Sequence, residues 1–304
     1  MAVSPVIEVV APPAQLGECP IWHSGRGELF WIDIEGRRLH RWNPSSDSAA
    51  TRDLPGRPGS MVFTDDEDTL LVAMEHELVW YHWPSETVTP FVTLEEPGTG
   101  NRLNDGRTDP AGRYVVGSMH EKVDERRFTG LLHQIEADGT SQVLRRNIGV
   151  TNANAFDPLL GRAYFADSFT GRILTWDYDA DAGVRTGERL LFAYDDIPGS
   201  PDGACVDVDG CLWSASVHGW AVIRITPNGR LDRRIDLPVQ KPTMPCFGGS
   251  DLSTLYITSI GGDATSPPPE GVTPVAEGSL LAFDVDVEGI PEVPFAGTAP
   301  RLSN

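Results

Sequence analysis

The sequence is poor in basic side chains and has no long apolar run. Its 304 residues include 24 Lys and Arg against 44 Asp and Glu, which gives a net charge of −20. Such a surface repels phosphate backbones and anionic lipid, so we expect binding neither to nucleic acid nor to a membrane. No apolar stretch approaches the length of a membrane span, and the N-terminus has no basic start, so we expect no spanning helix and no secretory signal.

Cysteine is scarce as well, with four residues in the whole chain. Cys19, Cys205, Cys211 and Cys246 are widely spaced, and none belongs to a Cys-x-x-Cys pair. A disulfide framework is therefore not expected, and reduced thiols in a cytoplasmic protein are the simplest interpretation.

Helical periodicity is nearly absent, whereas 31 Gly and 25 Pro indicate many turns. A short apolar strand, a polar break and a second alternating strand recur at a spacing of roughly 40 to 50 residues, which is typical of propeller blades. The copies are ELFWIDIEGRRLHRWNP (28–44), TLLVAMEHELVWYHWP (69–84), GRYVVGSMH with GLLHQIEADG (112–120, 130–139), GRAYFADSFTGRILTWDYD (161–179), GCLWSASVHGWAVIRITPNG (210–229), and STLYITSIGGD with GSLLAFDVDVEG (253–263, 278–289).

This repeat predicts an all-β fold, a six-bladed β-propeller with four-stranded antiparallel blades around a central channel. We expect one domain over residues 1–304, with the N-terminal strand PVIEVV (5–10) pairing with the last blade to close the ring. A seven-bladed ring and a pair of sandwiches are the alternatives. Two loops interrupt the rhythm, HEKVDERRF (120–128) and GGDATSPPPEGVTPVAEG (261–278), and they are either lids or tolerated insertions.

A polar or sulfur-bearing residue precedes the apolar run of every copy by a nearly constant distance along the chain. These residues are Glu18, Ser60, Asn104, Asn152, Asp202 and Cys246. Residues at one phase of a propeller repeat meet near the axis, where a buried carboxylate without a partner is costly. Carboxylates and amides that face one another there need a cation, and oxygen ligands suit Ca²⁺, Mg²⁺ or Mn²⁺, with Zn²⁺ and Fe²⁺ also possible. Taken singly, each residue has an ordinary structural explanation, since Asp202-Gly203 is a common turn and Asn152 is typical of a strand cap.

The segment NRLNDGR (101–107) contains a turn tripeptide, and we expect Asn104, Asp105 and Gly106 to form a turn. Arg102 stands two residues before Asn104 in a chain with few basic residues. This placement indicates either a hairpin corner or the rim of a site.

Five segments carry a resemblance to a known family. LGECPIW, RLNDGRTDPAGR, VTNANAFDP, GSPDGACVDVDGCLW and KPTMPCFGG resemble, in order, conserved segments of the gluconolactonase and regucalcin (senescence marker protein) family of sugar-acid lactonases. The resemblance implies a six-bladed propeller with one divalent metal ion on its axis, held by Glu18, Asn152 and Asp202. It also implies that Arg102 and Asn104 contact hydroxyl groups of the substrate.

The sequence departs from the family pattern at three places. Ala153 follows the metal-binding Asn where the family usually has Gly, and Ala costs about 1 kcal/mol if that position needs a positive φ. Asn154 is then a rival ligand to Asn152. Cys19 follows Glu18 where Gly or Ser is more usual, and we interpret it as a small side chain. The loop 261–278 is longer and richer in Pro than expected.

We therefore hypothesise that the chain is a metal-dependent hydrolase that opens a small sugar-acid lactone. A divalent ion polarises the carbonyl and lowers the pKa of bound water, and Asp202 is the general base. Arg102 and Asn104 bind the substrate, and His120 and Glu121, at the start of a charged loop, are further candidates for contact with it. We expect a monomer or a weak homo-oligomer.

Three other functions fit the same scaffold. One is a hydrolase of other esters or of phosphotriesters, and another is a calcium-binding propeller without turnover. The last is a propeller that presents a protein-binding face. No Gly-x-Ser-x-Gly segment and no phosphate-binding loop occurs, so neither an acyl-enzyme route nor phosphoryl transfer from a nucleotide is expected.

Overall fold

The structure, a computed structural model, describes residues 7–300, and its regular secondary structure is almost entirely β-strand. A single turn of 3-10 helix, Val123–Glu125, is the sole helix in this part of the chain. The strands in chain order are β1 Glu8–Ala11, β2 Gly17–His23, β3 Glu28–Asp33, β4 Arg38–Asn43, β5 Ser48–Asp53, β6 Ser60–Phe63, β7 Thr69–Ala73, β8 Glu77–His82, β9 Thr87–Thr93, β10 Asn101–Thr108, β11 Tyr114–His120, β12 Gly130–Ile135, β13 Ser141–Ile148, β14 Thr151–Asp157, β15 Arg162–Asp167, β16 Arg172–Asp179, β17 Val184–Ala193, β18 Ser200–Val206, β19 Leu212–Val217, β20 Ala221–Ile225, β21 Leu231–Asp236, β22 Pro242–Gly248, β23 Thr254–Ser259 and β24 Leu280–Asp284.

These strands form six antiparallel sheets of four strands each, which are the blades of a six-bladed β-propeller. Blades 1 to 5 each use four consecutive strands, beginning with β2, β6, β10, β14 and β18. The six sequence copies coincide with the second and third strands of the blades, so the fold class predicted from the repeat is confirmed.

Blade 6 is assembled from both ends of the described chain. It combines β22, β23 and β24 with β1, and Glu8 of β1 lies opposite Ala282 of β24. The sequence placed this strand at residues 5–10, of which residues 5 and 6 lie outside the described range. β1 is therefore the outermost strand of the last blade, and its hydrogen bonds to β24 join the two ends of the described chain in one sheet.

The first strand of each blade lines the central channel, and all six run in the same direction along it. Their N-terminal ends, such as Gly17 of β2 and Asn101 of β10, define the upper end of the channel. The lower end is crossed by a C-terminal segment, residues 289–296, whose backbone pairs with Asp207, Phe63 and Gly112. This segment covers the lower end of the channel.

Apolar side chains between neighbouring blades form the core. Met61, Tyr81 and Ile32 pack between blades 1 and 2, and Trp213 and Leu255 pack between blades 5 and 6. The four cysteines are buried and unpaired, as expected from their spacing. In residues 7–300 no helix is long and apolar enough to cross a membrane.

Candidate active site

A β-bulge recurs in the inner strands and directs the candidate residues toward the axis. The register shifts between Glu18 and Ile21 in β2, between Leu103 and Gly106 in β10, between Asn152 and Ala155 in β14, between Pro201 and Ala204 in β18, and between Pro242 and Pro245 in β22. Because a bulge sets two residues against one, it breaks the strict alternation of side chains and re-aims them.

The bulge corrects one sequence expectation. Asn104, Asp105 and Gly106 lie inside the continuous strand β10, and they form no chain-reversing turn. The expected turn is therefore wrong, and Gly106 is required by space, because a Cβ there would lie 2.9 Å from the carbonyl oxygen of Val115 and from the ring of Tyr114. In β14 the equivalent irregularity gives Ala153 a φ of 52°, so the positive φ considered for this position is present.

Five side chains from four blades meet at the upper part of the channel, and we call them the axial cluster. They are Glu18, Arg102, Asn104, Asn152 and Asp202, and each of them is buried. The sequence predicted this group from residues far apart in the chain, and the structure brings its members together.

Glu18 and Asp202 are two buried carboxyls whose charges repel. Burial raises the pKa of Glu18 well above its usual value, and the charges of Asp202 and Asp105 raise it further. Burial and Asp105 likewise raise the pKa of Asp202. Two groups oppose these rises in pKa: the backbone N–H of Cys19 donates to Oε2 of Glu18 at 3.1 Å, and the charge of Arg102 acts on both carboxyls.

Asn152 is held by its neighbours in one orientation. Its Nδ2 donates to Oγ of Ser168 at 2.8 Å, and Ser168 in turn donates to the carbonyl oxygen of Pro201 at 2.6 Å. Among residues 7–300, the only bond to its Oδ1 is a long one of 3.4 Å from Nδ2 of Asn104. The amide oxygen of Asn152 is thus a weakly engaged acceptor within the cluster.

Arg102 and Asn104 form a rigid pair. Nη1 of Arg102 donates to Oδ1 of Asn104 at 2.7 Å and to the carbonyl oxygen of Leu103 at 3.0 Å. Burial and the nearby charge of Arg57 lower the pKa of Arg102 to about 10. A buried guanidinium held at one nitrogen by its own strand keeps other donors for an oxygen-rich ligand.

The donor set fits a divalent cation. Glu18, Asp202 and the amide oxygen of Asn152 are all oxygen donors, and two facing carboxylates without a full countercharge are stabilised by a cation. No group of three or more His, Cys, Asp or Glu side chains suited to a metal occurs in residues 7–300, so such a site depends on the amide as third donor.

Two neighbours of the axial cluster make contacts of their own. Asn154, the rival ligand, donates from Nδ2 to the carbonyl oxygen and to Oδ2 of Asp105, at 3.1 and 3.2 Å, whereas its Oδ1 is buried without a hydrogen-bond partner among residues 7–300. The thiol of Cys19 donates to the carbonyl oxygen of Met61 at 3.3 Å, and burial raises the pKa of this thiol. Cys19 is therefore packed as a small side chain, as the sequence suggested.

Asp105 is a buried third carboxylate that sequence reasoning treated only as part of a turn. Its Oδ2 accepts the backbone N–H of Asn154 at 2.9 Å, and burial raises its pKa. The sequence contained a usable signal, since Asp105 directly follows a residue assigned to the axis. A bulge of two residues can direct both side chains inward.

His120 and Glu121 lie beside the axial cluster at the upper end. Both line a groove of about 360 Å³ together with Arg57 and Glu75. Nδ1 of His120 accepts the backbone N–H of Lys122 at 3.1 Å, which leaves Nε2 as the protonated nitrogen. The charge of Glu121 also acts on Arg102, so the groove borders the cluster.

The remaining two residues of the common phase have other roles. Oγ of Ser60 donates to the carbonyl oxygen of Asn104 at 2.7 Å and supports the bulge of β10. Cys246 packs in an apolar group with Trp22 and Tyr256. The phase assigned to Cys246 was therefore wrong, because the bulge of β22 comes earlier, at Thr243 and Met244.

Residues 16–261 match the model of the family described as SMP-30/Gluconolactonase/LRE-like region. The chain belongs to this family. It is 34% identical to 6-deoxy-6-sulfogluconolactonase of Pseudomonas putida, over 95% of this chain and 98% of that protein. It is 32% identical to the pentonolactonase XacC of Haloferax volcanii, over 94% of this chain and 97% of that protein.

A solved structure agrees with this membership. The fold superposes with a TM-score of 0.86 on regucalcin from Agrobacterium tumefaciens, which is described as a calcium-binding protein. The two chains are 26% identical, and the match covers 96% of this chain and 97% of the other. The relationship therefore extends over the whole propeller.

Proposed function

We propose that the chain is a metal-dependent hydrolase that opens a sugar-acid lactone to the aldonic acid. Family members related to it over nearly the full length are named as lactonases of two different sugar acids. The observation that carries the proposal is the pair of buried carboxyls, Glu18 and Asp202, next to the Arg102–Asn104 pair in one cluster.

Glu18, Asn152 and Asp202 would hold one divalent ion, with Ca²⁺ preferred by ligand type and Zn²⁺, Mn²⁺, Mg²⁺ or Fe²⁺ as alternatives. The calcium-binding relative supports the choice of Ca²⁺. When bound, such an ion polarises the lactone carbonyl and lowers the pKa of water. The remaining steps belong to side chains of this protein.

Asp202 is the proposed general base, which accepts a proton from the water that attacks the carbonyl carbon. A carboxylate with two oxygens can serve as a ligand and still accept a proton. The proton then passes to the leaving ring oxygen, which becomes a hydroxyl group of the aldonic acid.

Arg102 and Asn104 orient the sugar. The free donors of Arg102 bind hydroxyl oxygens and offset negative charge that develops on the carbonyl oxygen. Asn104 restricts Arg102 to one position through the 2.7 Å bond. At the rim of the groove, Glu121 accepts hydrogen bonds from hydroxyls and Nε2 of His120 donates one.

A titration assay on a panel of aldonolactones, with and without chelator, tests the proposal. Turnover of at least one lactone that chelation abolishes and Ca²⁺ restores is the expected result. An Arg102→Ala variant should mainly raise KM. Tight ion binding without turnover of any lactone would show instead a calcium-binding propeller, and turnover that persists in chelator would refute the metal requirement.

A further inference from the structure

An ion pair lies at the lower end of the channel, below the axial cluster. One of its two residues lies on β10, the strand that carries Arg102 and Asn104. Nη1 of Arg107 donates to Oε1 of Glu292 at 2.7 Å, and the two side chains are 11% and 14% exposed. Arg107 belongs to β10, whereas Glu292 lies in the C-terminal segment that crosses the channel. Nε and Nη2 of Arg107 are buried without a hydrogen-bond partner in the described part of the chain.

Asp105 connects this pair electrostatically to the axial cluster. Its Oδ1 is buried and has no hydrogen-bond partner among residues 7–300. Two residues along a strand span about 6.6 Å, so Asp105 lies between the level of Arg107 and that of Glu18 and Asp202. Asp105 directly follows Asn104 of the axial cluster along β10, stands two residues before Arg107 and is 5% exposed, so its carboxyl is the buried charged group between the two.

The fixed charges along the axis are four carboxyl groups and two guanidinium groups. The carboxyls are Glu18, Asp105, Asp202 and Glu292, and the guanidiniums are Arg102 and Arg107. Within this group of six side chains, two negative charges remain uncompensated when every carboxyl is ionised. One divalent cation neutralises them, so the position of Arg107 decides how much negative charge is left for an ion above it.

We propose that Arg107 is a built-in countercharge that sets the affinity of the axial cluster for its divalent ion, with Glu292 opposing it. This inference rests on the metal site of the proposed function. Arg107 would not contact the ion. Its positive charge would act on the ion indirectly, by offsetting the negative charge of Asp105, so Arg107 is a positioning residue. Its partner Glu292 holds the guanidinium in place and cancels part of its effect.

A purely structural role predicts something different. If Arg107 only fastens the C-terminal segment through Glu292, loss of either partner weakens folding and leaves ion affinity unchanged. A countercharge predicts affinity changes of opposite sign for the two partners. At an effective dielectric constant of about 20, the Coulomb energy between a unit charge and a divalent ion on the order of 10 Å apart exceeds the free energy of a tenfold change in affinity.

The test is calorimetric titration of Ca²⁺ into chelator-stripped, full-length protein. Arg107→Met should bind Ca²⁺ about tenfold more tightly than the wild type, and Glu292→Gln about tenfold more weakly. The double variant, which removes both charges, should return to within about threefold of the wild type. Arg107→Lys keeps the charge and should also stay close to it.

Affinities of Arg107→Met and Glu292→Gln that both equal the wild-type value, or that shift in the same direction, would overturn the inference. If Arg107→Met does not fold, Glu292→Gln and the double variant still decide between the two roles. A wild-type protein that binds no Ca²⁺, nor any of the other four cations, would refute the metal site itself. That failure is distinct from the case in which the wild type binds Ca²⁺ and its variants bind it with the same affinity.

Discussion

Nη2 of Arg57 donates a hydrogen bond of 3.0 Å to Oε2 of Glu121, although 64 residues separate the two in the sequence. Arg57 also contacts Glu75 at 3.2 Å and Glu35 at 3.6 Å. The pair joins the start of blade 2 to the loop that follows β11 of blade 3. Arg57 lowers the pKa of Glu121 through this bond, so the carboxylate is held ionised beside the axial cluster.

Arg57→Ala should release Glu121 and weaken substrate binding. Because Glu121 would then have to be ordered by the substrate itself, we expect KM to rise about three- to tenfold with kcat changed less than twofold. Steady-state kinetics on a lactone that the wild type opens measure both constants. Arg57→Lys should recover part of the loss, since it keeps the charge but not the forked geometry.

The matched control is Arg38→Ala, which removes an exposed ion pair with Asp53 on the outer side of blade 1. Its KM and kcat should equal those of the wild type. A KM for Arg57→Ala that also equals the wild-type value would remove Glu121, as positioned by Arg57, from substrate binding.

Asp202→Asn should separate ion binding from folding. The substitution keeps the shape of the side chain and removes one of two repelling carboxyls, so the metal-free variant should melt at or above the wild-type Tm. Wild-type protein should gain about 2.7 kcal/mol when free Ca²⁺ is a hundred times Kd, whereas the variant should gain little. Thermal melts in chelator and in excess Ca²⁺ measure both effects.

The contradictory outcomes are distinct for this variant. A Tm in chelator well below that of the wild type would mean that Asp202 has a structural partner that outweighs its repulsion from Glu18. Equal stabilisation of both proteins by Ca²⁺ would place the ion elsewhere in the molecule.

The six blades could be predicted because each blade repeats its own local pattern. The second and third strands of a blade are adjacent in sequence. The second is a short apolar run, as at Tyr164 and Phe165 of β15, and the third alternates more in burial, as in β16, so the repeat is visible without long-range information. The convergence of Glu18, Asn152 and Asp202 followed from the same logic, since equivalent positions of a closed ring meet at its axis.

The bulges and the distant partners could not be predicted in this way. Asn, Asp and Gly occupy both turns and bulges, and only the strand opposite Asn104 and Asp105 distinguishes the two. Arg107 and Glu292 are 185 residues apart, and neither lies in a repeated position. Such contacts depend on how the C-terminal segment crosses the channel, which no local pattern encodes.

Asp207 should be among the residues that matter most for stability outside the site. Its carboxylate is fully buried and accepts bonds from Nε1 of Trp213 at 2.7 Å, from Nε of Arg224 at 2.8 Å and from the backbone N–H of Cys211 at 3.0 Å. Asp207→Ala leaves three buried donors without this acceptor and should cost about 3 to 5 kcal/mol in the free energy of unfolding.

Urea unfolding of Asp207→Ala and Asp209→Ala provides the comparison. Asp209 accepts from Nη2 of the same arginine, Arg224, at 2.8 Å, but its side chain is 64% exposed. Asp209→Ala should therefore cost less than about 1 kcal/mol. Similar losses for the two variants would contradict the assignment of the stabilisation to burial.

His133 should make the fold sensitive to acid. It is buried on β12, and burial together with the charge of Arg146 lowers its pKa to about 4. The unfolded chain, in which a histidine has a pKa of about 6.5, then takes up a proton before the folded protein does as the pH falls. Stability from this residue is present above pH 6.5 and is lost between pH 6.5 and 4.

The loss attributable to His133 amounts to at most about 3 kcal/mol between pH 7 and pH 4. His133→Leu cannot titrate, so its free energy of unfolding should fall less than that of the wild type over this range. Urea unfolding at pH 7, 5.5 and 4.5 in chelator measures the difference, and carboxyl groups shared by both proteins cancel in it. Parallel curves of unfolding free energy against pH for the two proteins would show that His133 is protonated as readily in the folded state as in the unfolded state.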